Sequence, residues 1–504
     1  MNEKKTQVTK WLVGLIFALG ILFQVRQYIF NRSLWMDEIH LAEAIQKASF
    51  RDFLRPMLDY RSAPQPAPPG FLAAVKSMTL LFGTGDYLLR LYPLFWGLLS
   101  LFLFYKTAPL FIEKKAIPLA VAFFVFSDRL IYFSTELRPY ISDAGIFLLV
   151  LFWASRRLGH SFSDKETIAS AVFGFSVLLF SNPAVFFLAG AWSVFLAEAL
   201  KRRDRIQVLR IFLVGICWAA FFLEYYLRVL SEPAGIFPHQ LLDESYYMPF
   251  PPGHFKDLGW FLAKFVELFQ NPADFSPPWL ASAFFAAGCF FLFRRSRRYF
   301  FLVFLPLLFA MGASGLRKYI FADRFILFSL PALSMVTAQG VSAWKPKNPW
   351  FLKIGRLLAA VILLVYPVKK CAHHLFYPRT GEEMREVLEK LKKDWKTGDI
   401  LYLAHSAHPG FQYYAPRTGL DVEYIMGQDV YDRSSYFMFE AVDVQKVRKE
   451  SAGLKGHKRI WFLFSHMHPG EKEIYLAELD EKGRRDLSIE APGTAAYLYD
   501  LTEE

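Results

Sequence analysis

The chain has 504 residues, of which 54% are hydrophobic and 18% aromatic, and its mean hydropathy is +0.24. A soluble domain is normally about 45–50% apolar even when glycine is counted. The surplus here falls in long apolar blocks, which indicates a membrane protein and excludes a disordered or fibrous chain. The net charge of +12 does not indicate nucleic-acid binding, because the basic residues form short clusters between the apolar blocks. Three cysteines are too few for a disulfide framework.

The apolar blocks predict the membrane spans. A spanning helix needs about 20 mostly apolar residues, because each residue adds about 1.5 Å. On that criterion the sequence predicts about eleven spans, the first of them interpreted as an uncleaved anchor. They are residues 11–30, 88–112, 116–134, 140–157, 167–182, 184–200, 207–230, 278–293, 299–315, 322–343 and 352–368.

The basic clusters predict the orientation, because short cytoplasmic loops have an excess of lysine and arginine. With the N-terminus in the cytoplasm, the clusters of alternate loops all fall on the cytoplasmic side. They are Lys114-Lys115, Arg156-Arg157, Lys201-Arg202-Arg203, Arg294-Arg295, and Lys345 with Lys347. An odd number of spans then places everything after residue 368 outside. We therefore expect a multi-pass protein of the inner (plasma) membrane with an extracytoplasmic C-terminal region.

The first outer loop, residues 31–87, is too long to be a plain link. Its apolar pattern predicts a short helix at 37–50 that lies on the membrane and a second interfacial helix at 70–82. Prolines separate the two, and a proline ends a helix. They are Pro64, Pro66, Pro68 and Pro69.

The composition changes again after residue 377. A polar helix is predicted at 380–394, followed by apolar runs of β type with helical stretches between them. These runs are residues 400–404, 459–465 and 495–501. The sequence therefore predicts a polytopic α-helical membrane domain at 1–377 and a small α/β domain at 378–504.

Charged residues concentrate at the outer ends of the predicted spans, and the first such pair is Asp37-Glu38. A carboxylate at the bilayer edge suits a general base that deprotonates an acceptor hydroxyl. The alternative is structural, because an acidic residue at a helix start accepts backbone N–H bonds. His40 adds the further possibility of a metal ligand beside Asp37, although an interfacial histidine is the simpler interpretation.

A second charged element stands between the third and fourth predicted spans. It is the run Glu136-Leu137-Arg138-Pro139-Tyr140, with Asp143 one turn further on. One interpretation is an arginine fork that holds a phosphate, with the Tyr140 hydroxyl as an additional donor. The other is an ion pair between Glu136 and Arg138, or contact with lipid headgroups.

Two further sets of polar residues could bind a ligand. Lys318 and Arg324, at the outer end of the tenth span, interrupt the positive-inside pattern and suggest that an anion meets them. The C-terminal histidines have no Cys or carboxylate at ligand spacing, so no metal site is predicted there. They are His405, His408, His466 and His468.

At these residues the chain resembles the bacterial members of the protein O-mannosyltransferase and lipid A aminoarabinose transferase family, which are polytopic C-type-fold glycosyltransferases. The matching residues occur in the family's order. They are Trp35-Met36-Asp37-Glu38; Pro68-Pro69, Gly83 and Arg90; Glu136 to Tyr140 with Asp143; Lys318-Tyr319, Arg324 and Pro331; and Gly398-Asp399 with Tyr413-Tyr414. Tyr246-Tyr247 departs from the pattern, since relatives often have tryptophan there.

The resemblance implies an inverting transfer of a sugar from a polyprenyl-phosphate donor to a glycan, lipid or protein acceptor on the outer face. It implies that Asp37 is the base and Glu38 a supporting carboxylate. Arg138, Arg324, Tyr140 and Lys318 would bind the donor phosphate, and Arg90, Glu136, His40 and Asp143 would support them. No cofactor is required, although Asp37, Glu38 and His40 leave a divalent metal open.

Two other functions fit part of this pattern. A flippase or ligase for lipid-linked glycans shares large outer loops and basic lipid-phosphate sites, but needs no base at the first interfacial helix. A non-catalytic scaffold that binds sugar lipids would use the C-terminal domain as a partner surface.

The predicted orientation is testable with a reporter that is active only outside the membrane. Fused to the C-terminus, the reporter should be active, because an odd number of spans places that end outside. Inserted after Arg203, in a basic loop, it should be silent. The reverse pattern would overturn both the orientation and the location of the charged residues on the outer face.

Overall fold

The computed structural model describes residues 2–54, 67–231, 244–343, 349–430 and 442–502. Of the sequence features above, Pro64, Pro66, Lys345 and Lys347 lie outside these residues. The described residues form two compact units. The membrane unit takes them from Met1–Phe30, Ala48–His239 and Asp243–Pro378, and the C-terminal unit from Asn31–Lys47 and Arg379–Glu504.

The described part of the chain is mostly helical. Its helices are α1 (Asn2–Phe30), α2 (Met36–Lys47), α3 (Pro69–Phe82), α4 (Asp86–Leu89), α5 (Leu91–Phe111), α6 (Ile117–Val125), α7 (Asp128–Phe133), α8 (Tyr140–Arg157), α9 (Asp164–Phe180), α10 (Ala184–Arg202), α11 (Arg205–Tyr225), α12 (Phe255–Gln270), α13 (Pro278–Arg295), α14 (Arg297–Gly315), α15 (Leu330–Ala343), α16 (Pro349–Phe376), α17 (Met384–Asp394), α18 (His408–Thr418), α19 (Val444–Ala452) and α20 (Glu471–Asp480).

Six stretches of the described chain are long and apolar enough to cross a membrane, so the protein is a multi-pass membrane protein. They are Thr9–Phe30, Leu91–Phe111, Ala184–Arg202, Arg205–Leu230, Arg297–Gly315 and Asp323–Ala343. The other predicted spans are also helical in whole or part, but α9 has only 17 residues and α8 includes Asp143, Arg156 and Arg157. Eleven spans therefore stay a prediction. The predicted interfacial helix at 70–82 is the short apolar helix α3.

The segment 116–134 is not one continuous helix, and that prediction was wrong. Helix α6 ends at Val125, and α7 begins at Asp128. The hydroxyl of Ser127 accepts the backbone N–H of Leu130 at 3.4 Å and so starts the second helix. The break places the buried Asp128 carboxylate at a helix start rather than in the middle of a span.

Close backbone contact joins α13 and α15 at the centre of the membrane unit. A Cβ on Gly340 would lie 1.8 Å from the carbonyl oxygen of Phe284, and a Cβ on Gly288 would lie 2.0 Å from that of Val336. Small residues allow helices to pack this closely inside a membrane protein. As a result, every residue of α15 is buried.

The C-terminal unit contains a mixed five-stranded sheet in the order β2-β1-β3-β5-β4. Its strands are β1 (Ile400–Leu403), β2 (Tyr424–Met426), β3 (Ile460–Ser465), β4 (Arg484–Ala491) and β5 (Thr494–Asp500). β1 is parallel to both β2 and β3, whereas β5 is antiparallel to β3 and β4. The three predicted β-type runs are therefore strands β1, β3 and β5, and the predicted polar helix is α17.

Helix α2 groups with this sheet rather than with the membrane helices. Residues 31–47, placed by the sequence analysis in the domain 1–377, cluster with residues 379–504. The reason is a set of long-range bonds and the packing of α2 against α18 within the C-terminal unit.

The β4–β5 turn is tightly packed at Gly493. Its φ of +67° lies in the left-handed region, and a Cβ there would lie 2.6 Å from the carbonyl oxygen of Gly381. Beside it, the backbone N–H of Glu383 donates to the carbonyl of Pro492 at 2.9 Å. The turn therefore fixes the chain just before α17.

We predict that Gly493→Ala destabilises the C-terminal unit by about 1–3 kcal/mol, because the substitution adds both φ strain and a steric clash. Thermal unfolding of the purified protein, followed by hydrogen exchange in β4 and β5, measures this loss. Gly381→Ala is the matched control, since a Cβ on Gly381 meets no atom within 4 Å. Equal stability of the two variants would contradict the prediction.

Candidate active site

Asp37 and Glu38 lie in the first turn of α2. The carbonyl oxygen of Trp35 accepts the backbone N–H groups of Glu38 and Ile39 at 2.9 and 3.0 Å, and so begins the helix. Glu38 is fully buried and Asp37 is half-buried. Both carboxylates suit the positive end of the helix dipole. Asp37 also keeps the solvent access that a base needs to meet an acceptor.

The segment that leads into α2 is bonded to the C-terminal part of the same unit. Its backbone N–H groups donate to side chains 346 to 380 residues later: Ser33 to Glu383 (2.9 Å), Leu34 to the Tyr414 hydroxyl (2.6 Å) and Met36 to Glu382 (3.1 Å). Sequence reasoning missed these bonds, because pairs so distant in the chain leave no local pattern. Its only signal was Tyr413-Tyr414, noted for the family resemblance.

His466 adds a titratable group beside α2. Its Nδ1 lies 2.5 Å from a carboxylate oxygen of Glu382. That hydrogen bond raises the pKa of His466 against the opposing effect of burial, and the carboxylates of Glu382, Asp37 and Glu471 add to the rise. The imidazolium form therefore persists to higher pH than in an ordinary histidine. His40 lies half-buried on α2.

Within the described ranges, no group of three or more His, Cys, Asp or Glu side chains is arranged to hold a metal ion. Of the C-terminal histidines, His408 Nε2 lies 3.3 Å from the Tyr424 hydroxyl, and the backbone N–H of His468 donates to Glu471.

In the membrane unit, the predicted phosphate element forms a buried turn between α7 and α8. Glu136 and Arg138 are 1% and 3% exposed, and the backbone N–H of Arg138 donates to the Glu136 carbonyl at 2.6 Å. Pro139 directly precedes α8, and its carbonyl oxygen accepts the N–H of Asp143 at 3.0 Å. The turn and the first turn of α8 thus place Arg138 and two acidic side chains, Glu136 and Asp143, in a largely apolar bundle, where isolated charges are costly.

Arg324 lies against the start of α8, although it is almost 200 residues from it in sequence. It belongs to the 3-10 helix Asp323–Ser329, which packs on α8. The guanidinium carbon of Arg324 is 5.8 Å from the ring centre of Tyr140 and 5.7 Å from that of Phe325. Both distances fit a cation–π interaction. The structure therefore brings together Arg324 and Tyr140, two of the residues predicted to bind the donor phosphate.

The other predicted site residues lie on separate elements of the membrane unit. Lys318 is exposed just after α14, and its backbone N–H donates to Ala313 at 2.9 Å. Arg90 is 2% exposed at the junction of α4 and α5, where its charge acts on Tyr28. Neither position places Lys318 or Arg90 in the contact between Tyr140 and Arg324.

A charged cluster that sequence reasoning missed joins α7, α16 and the turn after α12. Lys370 Nζ lies 2.8 Å from Asp128 and 2.9 Å from Asp274, and both carboxylates are buried. The backbone N–H of Arg129 also donates to Asp274 at 3.0 Å. The available signal was Asp128 itself, an acidic residue inside the apolar block 116–134.

The structure is similar to solved glycosyltransferases along nearly its whole length. ArnT from Cupriavidus metallidurans bound to undecaprenyl phosphate matches with a TM-score of 0.51 and 15% identity, over 97% of this chain and 98% of that one. The apo state of ArnT matches with a TM-score of 0.50 and 14% identity, over 98% of both chains. The Archaeoglobus fulgidus oligosaccharyltransferase matches with a TM-score of 0.50 and 13% identity, over 98% of this chain and 74% of that one. That structure is tethered to an acceptor peptide containing the NVT sequon.

The chain has a C-type glycosyltransferase fold. The resemblance inferred from the sequence motifs is thus confirmed at the level of the fold. No protein-family model matches the chain, and no curated protein matches its sequence. At identities of 13–15%, similarity establishes architecture, and the chemistry has to be argued from the residues of the site.

Proposed function

We propose that the protein is a membrane glycosyltransferase. It moves a sugar, with inversion, from a polyprenyl-phosphate donor to a hydroxyl of a glycan, lipid or protein acceptor on the outer face of the inner membrane. The observation that carries the proposal is the similarity along almost the full length of both chains to ArnT bound to undecaprenyl phosphate. The buried charged turn and the Tyr140–Arg324 contact supply groups suited to such a donor.

In this proposal, Arg138 and Arg324 bind the donor phosphate, together with the Tyr140 hydroxyl and Lys318. A guanidinium offers a planar fork of N–H donors that matches phosphate oxygens. As the glycosidic bond breaks, negative charge grows on the phosphate, and fixed cations in a low-dielectric site stabilise that charge. Glu136 and Asp143 support the cations, and Arg90 is the remaining buried arginine of the predicted set.

Asp37 is the proposed base. It takes the proton of the acceptor hydroxyl as that oxygen bonds to the sugar's anomeric carbon, and polyprenyl phosphate leaves from the opposite face. The complete burial of Glu38 fits a supporting carboxylate, whereas the half-buried Asp37 is accessible to an acceptor. His40 lies on the same helix in a supporting position.

The proposal includes the predicted topology. The basic clusters support an N-terminus in the cytoplasm and a C-terminal unit outside. The six apolar helices support a multi-pass arrangement, and the shorter helices at the other predicted positions complete about eleven spans in this proposal. An outward C-terminal unit agrees with a site for acceptors on the outer face.

We predict that the purified protein releases free polyprenyl phosphate from a radiolabelled sugar donor. We also predict that Asp37→Asn lowers the rate of sugar transfer at saturating donor by roughly 10²-fold or more, because a positioned base typically contributes that much. Asparagine keeps the size of the side chain and can still accept a hydrogen bond at a helix start. Expression, membrane insertion and donor binding should be intact.

Glu38→Gln is the matched control and should have a milder effect. Near wild-type transfer by Asp37→Asn would return that residue to a structural role. A protein that binds the sugar lipid without releasing polyprenyl phosphate would instead be a flippase or a scaffold, since neither breaks the glycosidic bond.

We predict that Arg138→Lys slows turnover and that Arg138→Ala slows it further, because lysine keeps the charge but loses the fork. Donor binding and release of polyprenyl phosphate are the measurements. Arg210→Lys is the control. Arg210 lies on α11, and its guanidinium likewise donates to two acceptors, the carbonyl of Phe162 and the carboxylate of Asp164. Wild-type affinity and rate in both Arg138 variants would show that Arg138 only anchors the protein to lipid headgroups.

A further inference from the structure

The carboxylate of Glu382 joins the start of α2 to an imidazole. One oxygen accepts the backbone N–H of Met36 at 3.1 Å, and the other lies 2.5 Å from Nδ1 of His466. Met36 immediately precedes Asp37 in the first turn of α2. The orientation of this turn therefore depends on a side chain from the far end of the sequence.

Glu382 and His466 are themselves held in place. Next to Glu382, the backbone N–H of Glu383 is bonded to the β4–β5 turn. His466 directly follows β3 and has a φ of +54°, in the left-handed region. This region is uncommon for residues other than glycine, although histidine is among those found there more often. The bond to Glu382 then holds the imidazole in place.

The charged groups that act most strongly on His466 are all negative. They come from three elements: Glu382 before α17, Asp37 on α2 and Glu471 at the start of α20. Together with the Glu382 hydrogen bond, they raise the pKa of His466. The imidazolium form that this pairing needs is therefore lost as the pH rises through the raised pKa.

We propose, on the basis of the proposed function, that the Glu382–His466 pair is a positioning device. It holds the first turn of α2, and with it the Asp37 carboxylate, in the orientation that sugar transfer requires. Neither residue touches the substrate in this proposal. The C-terminal unit thereby contributes directly to the geometry of the proposed base.

The first measurement is hydrogen exchange of the full-length protein in peptides that cover residues 31–40. Glu382→Ala should raise exchange at the Met36 amide by roughly tenfold, because it removes a charged acceptor. Glu382→Gln keeps an acceptor and should have a smaller effect. Unchanged exchange in β3 and β5 shows that the unit is folded. Arg448→Gln, which breaks the α19–α20 ion pair with Glu478, is the control and should leave residues 31–40 unchanged.

The second measurement is the pH profile of kcat, with KM determined in parallel. His466→Gln should lower kcat by roughly tenfold with little change in KM for the donor, because a small displacement of a reacting group is costly. In Glu382→Gln, the alkaline limb of the kcat profile should move to lower pH, since the main cause of the raised His466 pKa is gone. Arg448→Gln should keep the wild-type profile.

The outcomes separate this proposal from the proposed function. Unchanged exchange at residues 31–40 in Glu382→Ala overturns the positioning role, whatever the activity. An alkaline limb that stays in place in Glu382→Gln also overturns it. If the wild-type protein releases no polyprenyl phosphate, the proposed function fails, and the exchange data alone then decide whether the pair holds α2.

Discussion

Charged side chains inside an apolar helix bundle are stable only where other polar groups meet them, and this constraint determines where helices of the membrane unit break. Asp128 lies at the start of α7, where Lys370 of α16 reaches it, and Asp274 shares the same cation. The turn between α7 and α8 also holds two buried charged side chains, Glu136 and Arg138. Breaks of this kind supply irregular backbone, which is the usual setting for binding and catalysis.

The proposed chemistry divides between the two compact units. In the proposed function, the membrane unit supplies the cations that bind the donor phosphate, and cations act strongly in a buried and apolar setting. The C-terminal unit supplies the proposed base, on a helix whose start is bonded to three of its side chains. This division explains why the C-terminal sheet is more than an accessory domain, since without it the first turn of α2 loses the acceptors of its leading N–H groups.

Most of the helices and three of the five strands were predictable from the sequence, because apolar runs and their periods are local signals. Helix α12 was not predicted, and the break between α6 and α7 was missed. Strand β2 was missed because it has only three residues, and β4 because it is a largely exposed edge strand rich in charges. Only the family resemblance assigned Arg324 and Tyr140 to one donor site, and their contact was not predicted, since it joins distant segments. The bonds of Ser33, Leu34 and Met36 were not foreseen, because a backbone N–H has no sequence signature.

The distance along the chain between α2 and its partners has a consequence for biogenesis. Domains generally form from the N-terminal end during synthesis. The start of α2 and the segment before it nevertheless meet Glu382 and Tyr414 only after more than three-quarters of the chain exists. The segment that bears the proposed base therefore waits, unpaired with its final partners, while the membrane helices insert. A nascent chain, or one truncated before residue 382, would contain the membrane helices as far as α16 while the segment before α2 still lacked its acceptors.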